Sequence, residues 1–222
     1  MVVATPIGNL GDLAPRARDA FAAADLVACE DTRHTGRLLA HLGIKKPLVS
    51  LHEHNERQRV PRLLAELAAG RTVALASDAG TPLLSDPGYL LVREAAALGI
   101  TIEPLPGPSA LLAALVASAL PPYPFTFAGF PPARQGKRRT FYRAWAGLGH
   151  TLVLFESPHR VLASLADALD ALGDRPAAIA RELTKLHEEI LRGPLSVLRD
   201  ELAKRSSLKG ELVVVIGAAS RG

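Results

Sequence analysis

The 222-residue sequence predicts an α/β protein made of two domains, each a sheet with helices on its faces. Three observations point there. Short β-rich apolar runs alternate with amphipathic stretches along the chain. The loops that follow several of those runs are dense in Gly, Pro, Asp and Ser. One segment, Leu120-Pro121-Pro122-Tyr123-Pro124, breaks the rhythm with three prolines in four residues, which suits neither a helix nor a central strand. The domain boundary is placed there, giving domains 1–119 and 120–222.

The first domain opens on a strand, Val2-Val3-Ala4-Thr5. A helix from Pro15 to Ala24 carries Pro in its first turn, where the missing N–H costs nothing. Leu26–Glu30 reads as a second strand, and a helix from about Thr32 to Leu42 closes at Gly43. A short strand at 48–51, a helix from Arg57 to Ala69 ending at Gly70, a strand at 72–77, a helix at about 87–98 and a strand at 101–104 follow. Pro108–Ser118 is a small apolar helix. Repeated β–α alternation predicts a mostly parallel sheet. The second domain reads as strand 125–129, a basic helix at 135–146, strand 151–155, helix 158–172 opened by Ser157-Pro158, strand 177–181, the alternating 187–192 segment, helix 195–205 and strand 211–216.

Composition narrows the class. Apolar residues make up 48%, yet no run approaches the ~20 residues of a membrane span. The N-terminus lacks the basic-then-apolar pattern of a signal peptide. The single cysteine, Cys29, excludes an internal disulfide framework and a cysteine metal site, and its apolar neighbours make it a small core residue. A cytoplasmic protein is expected, with no membrane and no metal. Residues 1–118 carry 11 Lys/Arg against 12 Asp/Glu, and the remainder 15 against 10, so the net charges are −1 and +5. The densest basic run is Arg134-Gln135-Gly136-Lys137-Arg138-Arg139, with Arg143 beyond it. A polyanion such as RNA suits that run, and so does a plainly solvated helix face.

Standard nucleotide and hydrolase signatures are missing. Gly8-Asn9-Leu10-Gly11 is not G-x-G-x-x-G, Gly136-Lys137 lacks the phosphate-loop glycine, and neither H-E-x-x-H nor G-x-S-x-G occurs. His52 and His54 are two residues apart, with no third ligand apparent. The informative stretch is Ser77-Asp78-Ala79-Gly80-Thr81-Pro82-Leu83-Leu84-Ser85-Asp86-Pro87-Gly88. A loop of this make-up, between a strand and a helix, offers backbone groups to a ligand at the carboxyl end of a sheet.

These residues resemble a known family. Val3-Ala4-Thr5-Pro6-Ile7-Gly8-Asn9-Leu10-Gly11-Asp12-Leu13 is similar to the opening strand and loop of the bacterial small-subunit ribosomal RNA cytidine-2′-O-methyltransferases, within the tetrapyrrole methylase superfamily. The resemblance continues through Glu30-Asp31-Thr32-Arg33, Ser50-Leu51-His52-Glu53-His54-Asn55 and the Ser77–Gly88 loop. It then takes in Leu105-Pro106-Gly107-Pro108-Ser109-Ala110, Phe155-Glu156-Ser157-Pro158-His159-Arg160 and Arg181-Glu182-Leu183-Thr184-Lys185. It implies two α/β domains of the tetrapyrrole methylase type with the cofactor in the inter-domain cleft. It also implies S-adenosyl-L-methionine as methyl donor, a homodimer, and small-subunit ribosomal RNA or a ribosomal particle as partner. The reaction implied is 2′-O-methylation of a cytidine ribose.

Site residues follow from the chemistry beside that resemblance. The donor needs small residues and backbone groups for close approach. Pro6, Asp78, Ala79, Gly80, Ser85, Asp86, Ser109, Ala110 and Phe155 are expected to supply them. Asp86 also fits an N-cap of the following helix, and Phe155 also fits core packing. Deprotonating a weakly acidic ribose hydroxyl calls for a base or a cation. Glu30, Glu182 and Lys185 are the expected catalytic residues, with Asp31 nearby; structural ion pairs, such as Arg181 with Glu156, account for such charges equally well. Arg33, Asn55, Arg160, Lys137 and Arg138 are expected at the RNA. A methyltransferase for a tetrapyrrole or other small substrate, and a non-catalytic RNA-binding module, are the alternatives.

Overall fold

A computed structural model of the chain describes residues 1–219. It divides into two compact units, Met1–Ser109 and the remainder from Ala110.

The first unit is a five-stranded sheet of β1 (Val2–Val3), β2 (Leu26–Cys29), β3 (Leu48–Ser50), β4 (Val73–Ala76) and β5 (Pro104–Leu105), in the order β3-β2-β4-β1-β5. Each pairing is parallel, as the β–α alternation predicts. Strands β2 and β4 are buried along their whole length, because helices cover both faces. Side chains alternate between the faces. Val27, Cys29, Ala74 and Ala76 join Ala17, Phe21, Leu38 and Leu39 of helices α1 (Pro15–Ala23) and α2 (Thr32–His41). Leu26, Ala28, Val73 and Leu75 join Val60, Leu63 and Leu91 of α3 (Glu56–Ala68) and α4 (Tyr89–Ala97). Cys29 is thus a fully buried core residue, as its apolar neighbours suggest.

The second unit departs from the expected parallel pattern. Its strands are β6 (Phe125–Phe127), β7 (Thr151–Glu156), β8 (Pro176–Arg181), β9 (Glu189–Pro194) and β10 (Leu212–Ile216), in the order β6-β7-β10-β8-β9. Only β6 and β7 pair in parallel; the other three pairings are antiparallel. The short 182–188 turn between β8 and β9 cannot carry the crossover that a parallel pair requires. One face packs on Leu165 and Ala168 of α7 (Val161–Leu172), on Leu195, Leu198 and Leu202 of α8 (Leu195–Ala203), and on Tyr142 of α6 (Gln135–Ala144).

Helix α5 (Ala110–Ala117) packs on β7, β8 and β10 of this second sheet. That packing puts the division of the chain at Ser109/Ala110, one helix earlier than the proline-rich segment. The prolines mark a break in local conformation, whereas the apolar face of α5 decides which sheet it joins.

Candidate functional site

The loops at the carboxyl ends of β1, β4 and β5 are bound to one another. Thr5 and Gly80 form an isolated antiparallel bridge: the Thr5 N–H donates to Gly80 O at 2.9 Å and the Gly80 N–H to Thr5 O at 3.0 Å. The Thr81 hydroxyl donates to Pro108 O at 3.2 Å, and the Asp31 N–H donates to Asp78 Oδ1 at 3.1 Å. Two glycines permit this approach. Gly80 has φ +80°, and a Cβ there would lie 3.2 Å from Ile7 Cγ2; a Cβ at Gly107 would lie 2.9 Å from Ala4 Cβ. Leu83 (φ +75°) and Ser85 (φ +72°) are left-handed non-glycine residues in the same loop. Such conformations persist where surrounding structure imposes them, and they gather at ligand loops. Nothing in the sequence marks these two.

Asp86 is not the N-cap of α4. The helix begins at Tyr89 after a left-handed Gly88. Its free N–H groups at Gly88 and Leu90 donate to Glu56 Oε1 at 3.0 and 2.9 Å. A carboxylate from the neighbouring helix has taken the capping role, which local sequence spacing does not disclose. Asp86 instead lies half-buried beside Ser77 and Asp78; burial first, then the Asp78 charge, raise its carboxyl. Glu30, just past the end of β2, faces a similar field. Burial and then the charges of Asp78, Asp86, Glu53 and Asp31 raise it above the usual carboxylate range. Glu30, His52, Glu53, His54, Ser85 and Asp86 line a cavity of about 420 Å³.

Other expected residues have structural work. Asp31 caps α2 by accepting from the Arg33 N–H at 2.7 Å, and its carboxyl is held at about 2 by its hydrogen bonds to Arg33. Arg33 itself is exposed, with its guanidinium 2.9 Å from Asp31. Asn55 closes the turn after β3: its Oδ1 accepts from the His52 N–H, and its amide donates to Ser50 O.

In the second unit, Glu182 and Lys185 form an ion pair at 2.8 Å, and Glu211 lies 3.4 Å from the same Nζ. Hydrogen bonds from Lys185 and from the Glu211 backbone lower the Glu182 carboxyl. Burial lowers Lys185, but hydrogen bonding and charge from Glu182 and Glu211 outweigh it, so the ammonium is raised. Arg181 pairs with Glu189 at 3.0 Å, not with Glu156. Glu156, 3% exposed, holds Arg160 at 3.2 Å.

The basic run at 134–139 is only partly at the surface. Arg138 is 4% exposed, with its guanidinium 2.7 Å from the buried Asp167, and Arg139 reaches the other oxygen of that carboxylate at 2.9 Å. Arg138 is therefore a core residue and does not meet RNA at the surface. The exposed cations of the run are Arg134, Lys137 and Arg139.

A parallel sheet whose strand-end loops are joined through glycines around half-buried carboxylates has the form of the ligand crevice of an α/β protein. Solved structures share the fold over nearly the whole chain. The diphthine synthase structure aligns with TM-score 0.74 at 19% identity, covering 97% of this chain and 88% of that one. The methyltransferase CobJ aligns with TM-score 0.71 at 21% identity, covering 99% and 95%. Residues 1–199 match the family of Tetrapyrrole (Corrin/Porphyrin) Methylases, and the chain belongs to that family. The ribosomal RNA small subunit methyltransferase I of Mesorhizobium japonicum is 52% identical over 219 residues, 98% of this chain and 74% of that protein. Its namesake in Xylella fastidiosa (strain Temecula1) is 48% identical over 221 residues, 99% of this chain and 81% of that protein.

The methyl donor is S-adenosylmethionine. The first unit's residues fit it: the glycines allow backbone approach, and Glu30 and Asp86 are half-buried carboxylates set among further carboxylates, a field suited to a ligand bearing a sulfonium and an ammonium. Gly80→Val is expected to raise the donor Kd roughly ten- to hundredfold. A β-branched residue at this φ is strained by ~1–3 kcal/mol and meets Ile7, so the loop is displaced and only a fraction of molecules is competent to bind. The side chain acts by pushing into Ile7 rather than by filling open space. Titration calorimetry measures the effect; an unchanged Kd would remove this loop from the donor site.

Proposed function

We propose that the protein methylates small-subunit ribosomal RNA, transferring the methyl group of S-adenosylmethionine to the 2′-hydroxyl of a cytidine. The observation that carries the ribosomal substrate is the identity, 46–52% over at least 97% of the chain, to relatives named ribosomal RNA small subunit methyltransferase I. The basic charge of the second unit supports a polyanionic partner.

The donor, when bound, supplies a methyl group already activated by the sulfonium. The chain's part is to hold donor and hydroxyl together, exclude water and accept a proton. Pro6, Asp78, Ala79, Gly80, Ser85, Asp86, Ser109, Ala110 and Phe155 are assigned to the donor. Glu30 is assigned as the base, because a carboxyl raised by burial holds a proton better than an ordinary one. Glu182, lowered by Lys185, is a weaker base, and Lys185 stays protonated, so its role is to stabilise the developing alkoxide. Arg33, Asn55, Arg160 and Lys137 are assigned to the RNA. A homodimer in the cytoplasm completes the reading; no helix among the described residues is long and apolar enough to cross a membrane.

Transfer of tritium from labelled donor to small-subunit RNA, naked or in assembling particles, tests the substrate. Nuclease mapping of a resistant 2′-O-methylated cytidine tests the position. No label in RNA, with label in a porphyrinogen, would reject the reading. Reversing Arg134 and Lys137 to Glu is expected to weaken RNA binding and to flatten the log K against log salt slope by about 0.7 for each phosphate that these cations no longer neutralise. These two side chains are exposed, so the fold stays intact. An unaltered slope would take this patch out of the interface.

A further inference from the structure

Three phenylalanines of the second unit pack ring on ring in a row, one pair T-shaped and the other tilted. The Phe127 and Phe155 ring centroids are 4.9 Å apart at 65°, and those of Phe155 and Phe130 are 5.5 Å apart at 57°. Phe127 and Phe155 are partly buried, whereas Phe130 is 50% exposed. The row therefore runs from the sheet to the surface and ends in a ring open to solvent. Its backbone is pinned on both sides: the Phe155 N–H donates to Gly129 O at 3.1 Å, and Arg138 Nη1 donates to Ala133 O at 3.0 Å. Phe130 is thus held on a short braced segment, with a second ring supporting it.

Basic residues stand close to the open ring in the chain. Arg134 lies four residues on, within about 14 Å of chain reach, and Lys137 is one helical turn further; both are exposed. Arg160 follows strand β7 close after Phe155, positioned by the buried Glu156. A single exposed aromatic is ordinary on a protein surface. A braced, open ring followed closely in the chain by exposed cations matches the way unpaired nucleic acid is bound, bases on aromatic faces and phosphates on Arg and Lys.

We propose that Phe130 is the stacking platform for an unpaired base of the RNA substrate, with Arg134, Lys137 and Arg160 taking the flanking phosphates. This rests on the RNA methyltransferase reading and adds a binding residue that acts through its π face. The donor's adenine offers the same kind of surface, so the test separates the two sources.

Methyl transfer to small-subunit ribosomal RNA is measured for Phe130→Ala, Phe130→Leu and Phe130→Tyr, alongside donor affinity by calorimetry. The expected result is a KM for RNA raised roughly ten- to hundredfold in the Ala and Leu variants and retained in Tyr. Donor Kd and the salt slope are expected to stay as in the wild type. Phe130→Leu keeps apolar bulk without the π face, so it answers the question even if the Ala variant folds poorly. Wild-type KM in Phe130→Leu would overturn the proposal, and so would a raised donor Kd with RNA binding unchanged, which would give the ring to the adenine. A wild-type protein that neither binds nor methylates the RNA would instead overturn the functional reading and this inference with it.

Discussion

Glu30→Gln is expected to lower kcat by roughly a hundred- to ten-thousandfold, the usual contribution of a positioned general base. KM for RNA is expected to change far less, since the amide keeps the shape of the side chain. The pH profile gives a second reading. Burial and four neighbouring carboxylates raise Glu30, so its active, deprotonated form appears at higher pH than for an ordinary Glu. Wild-type kcat should climb through that raised pKa and then level, and the Gln variant should lack this limb. The stability sign runs the other way. A carboxyl whose folded pKa exceeds its unfolded value favours the fold at low pH and loses that contribution as pH rises. At neutral pH, Glu30→Gln should therefore be at least as stable as the wild type. A variant with normal turnover would dismiss Glu30 as the base; one that is inactive only because it is unfolded would show a lowered melting point, contrary to this expectation.

Asp167→Ala is expected to destabilise the second unit by about 3–5 kcal/mol, because it strands Arg138 as a buried cation. The melting midpoint should fall by roughly 6–20 °C for a chain of this size. Replacing the exposed Asp170 by Ala serves as the control and should change little. Asp167→Leu combined with Arg138→Met should recover much of the loss, since removing both charges costs less than orphaning one. The pH dependence has a definite sign. Burial pushes the Asp167 carboxyl up, but hydrogen bonds from Arg139 and Arg138 outweigh it and leave it below the ordinary Asp range. That stabilisation is present above the unfolded carboxylate pKa and is lost as pH falls through the lower, folded one. Calorimetric melts from pH 7 downward would show the wild type converging on Asp167→Ala in acid. Equal midpoints at pH 7 would mean that Asp167 and Arg138 do not support the core as their geometry implies.

How far the sequence carried depended on whether the deciding force was local. The runs Leu26–Cys29 and Val73–Ala76 are apolar throughout, so both of their faces must be covered, and the parallel first sheet follows. Pro15 at a helix start, Gly43 and Gly70 past helix ends, and the Gly-, Asp- and Pro-rich loop after β4 are equally local signals. Cys29 in an apolar run was legible as core for the same reason.

The misreadings share a different cause. Arg138 sits in a run that reads as solvated charge, but 29 positions separate it from the carboxylate that buries it. Asp86 stands where a cap belongs, yet Glu56, 32 positions before Gly88, supplies the acceptor. Strand β10 carries no mark of direction in its own residues; its place between β7 and β8 comes from pairing across the sheet.

The amino-acid order alone thus settled most of which segments become strands and helices, and which loop carries the dense Gly, Asp and Pro content, because period, turn chemistry and glycine placement act between near neighbours. The assembled units decided which charges reach water, which sheet α5 joins and how the second sheet is threaded. Those outcomes depend on desolvation and pairing between groups far apart along the chain, and such partners exist only once the elements have packed.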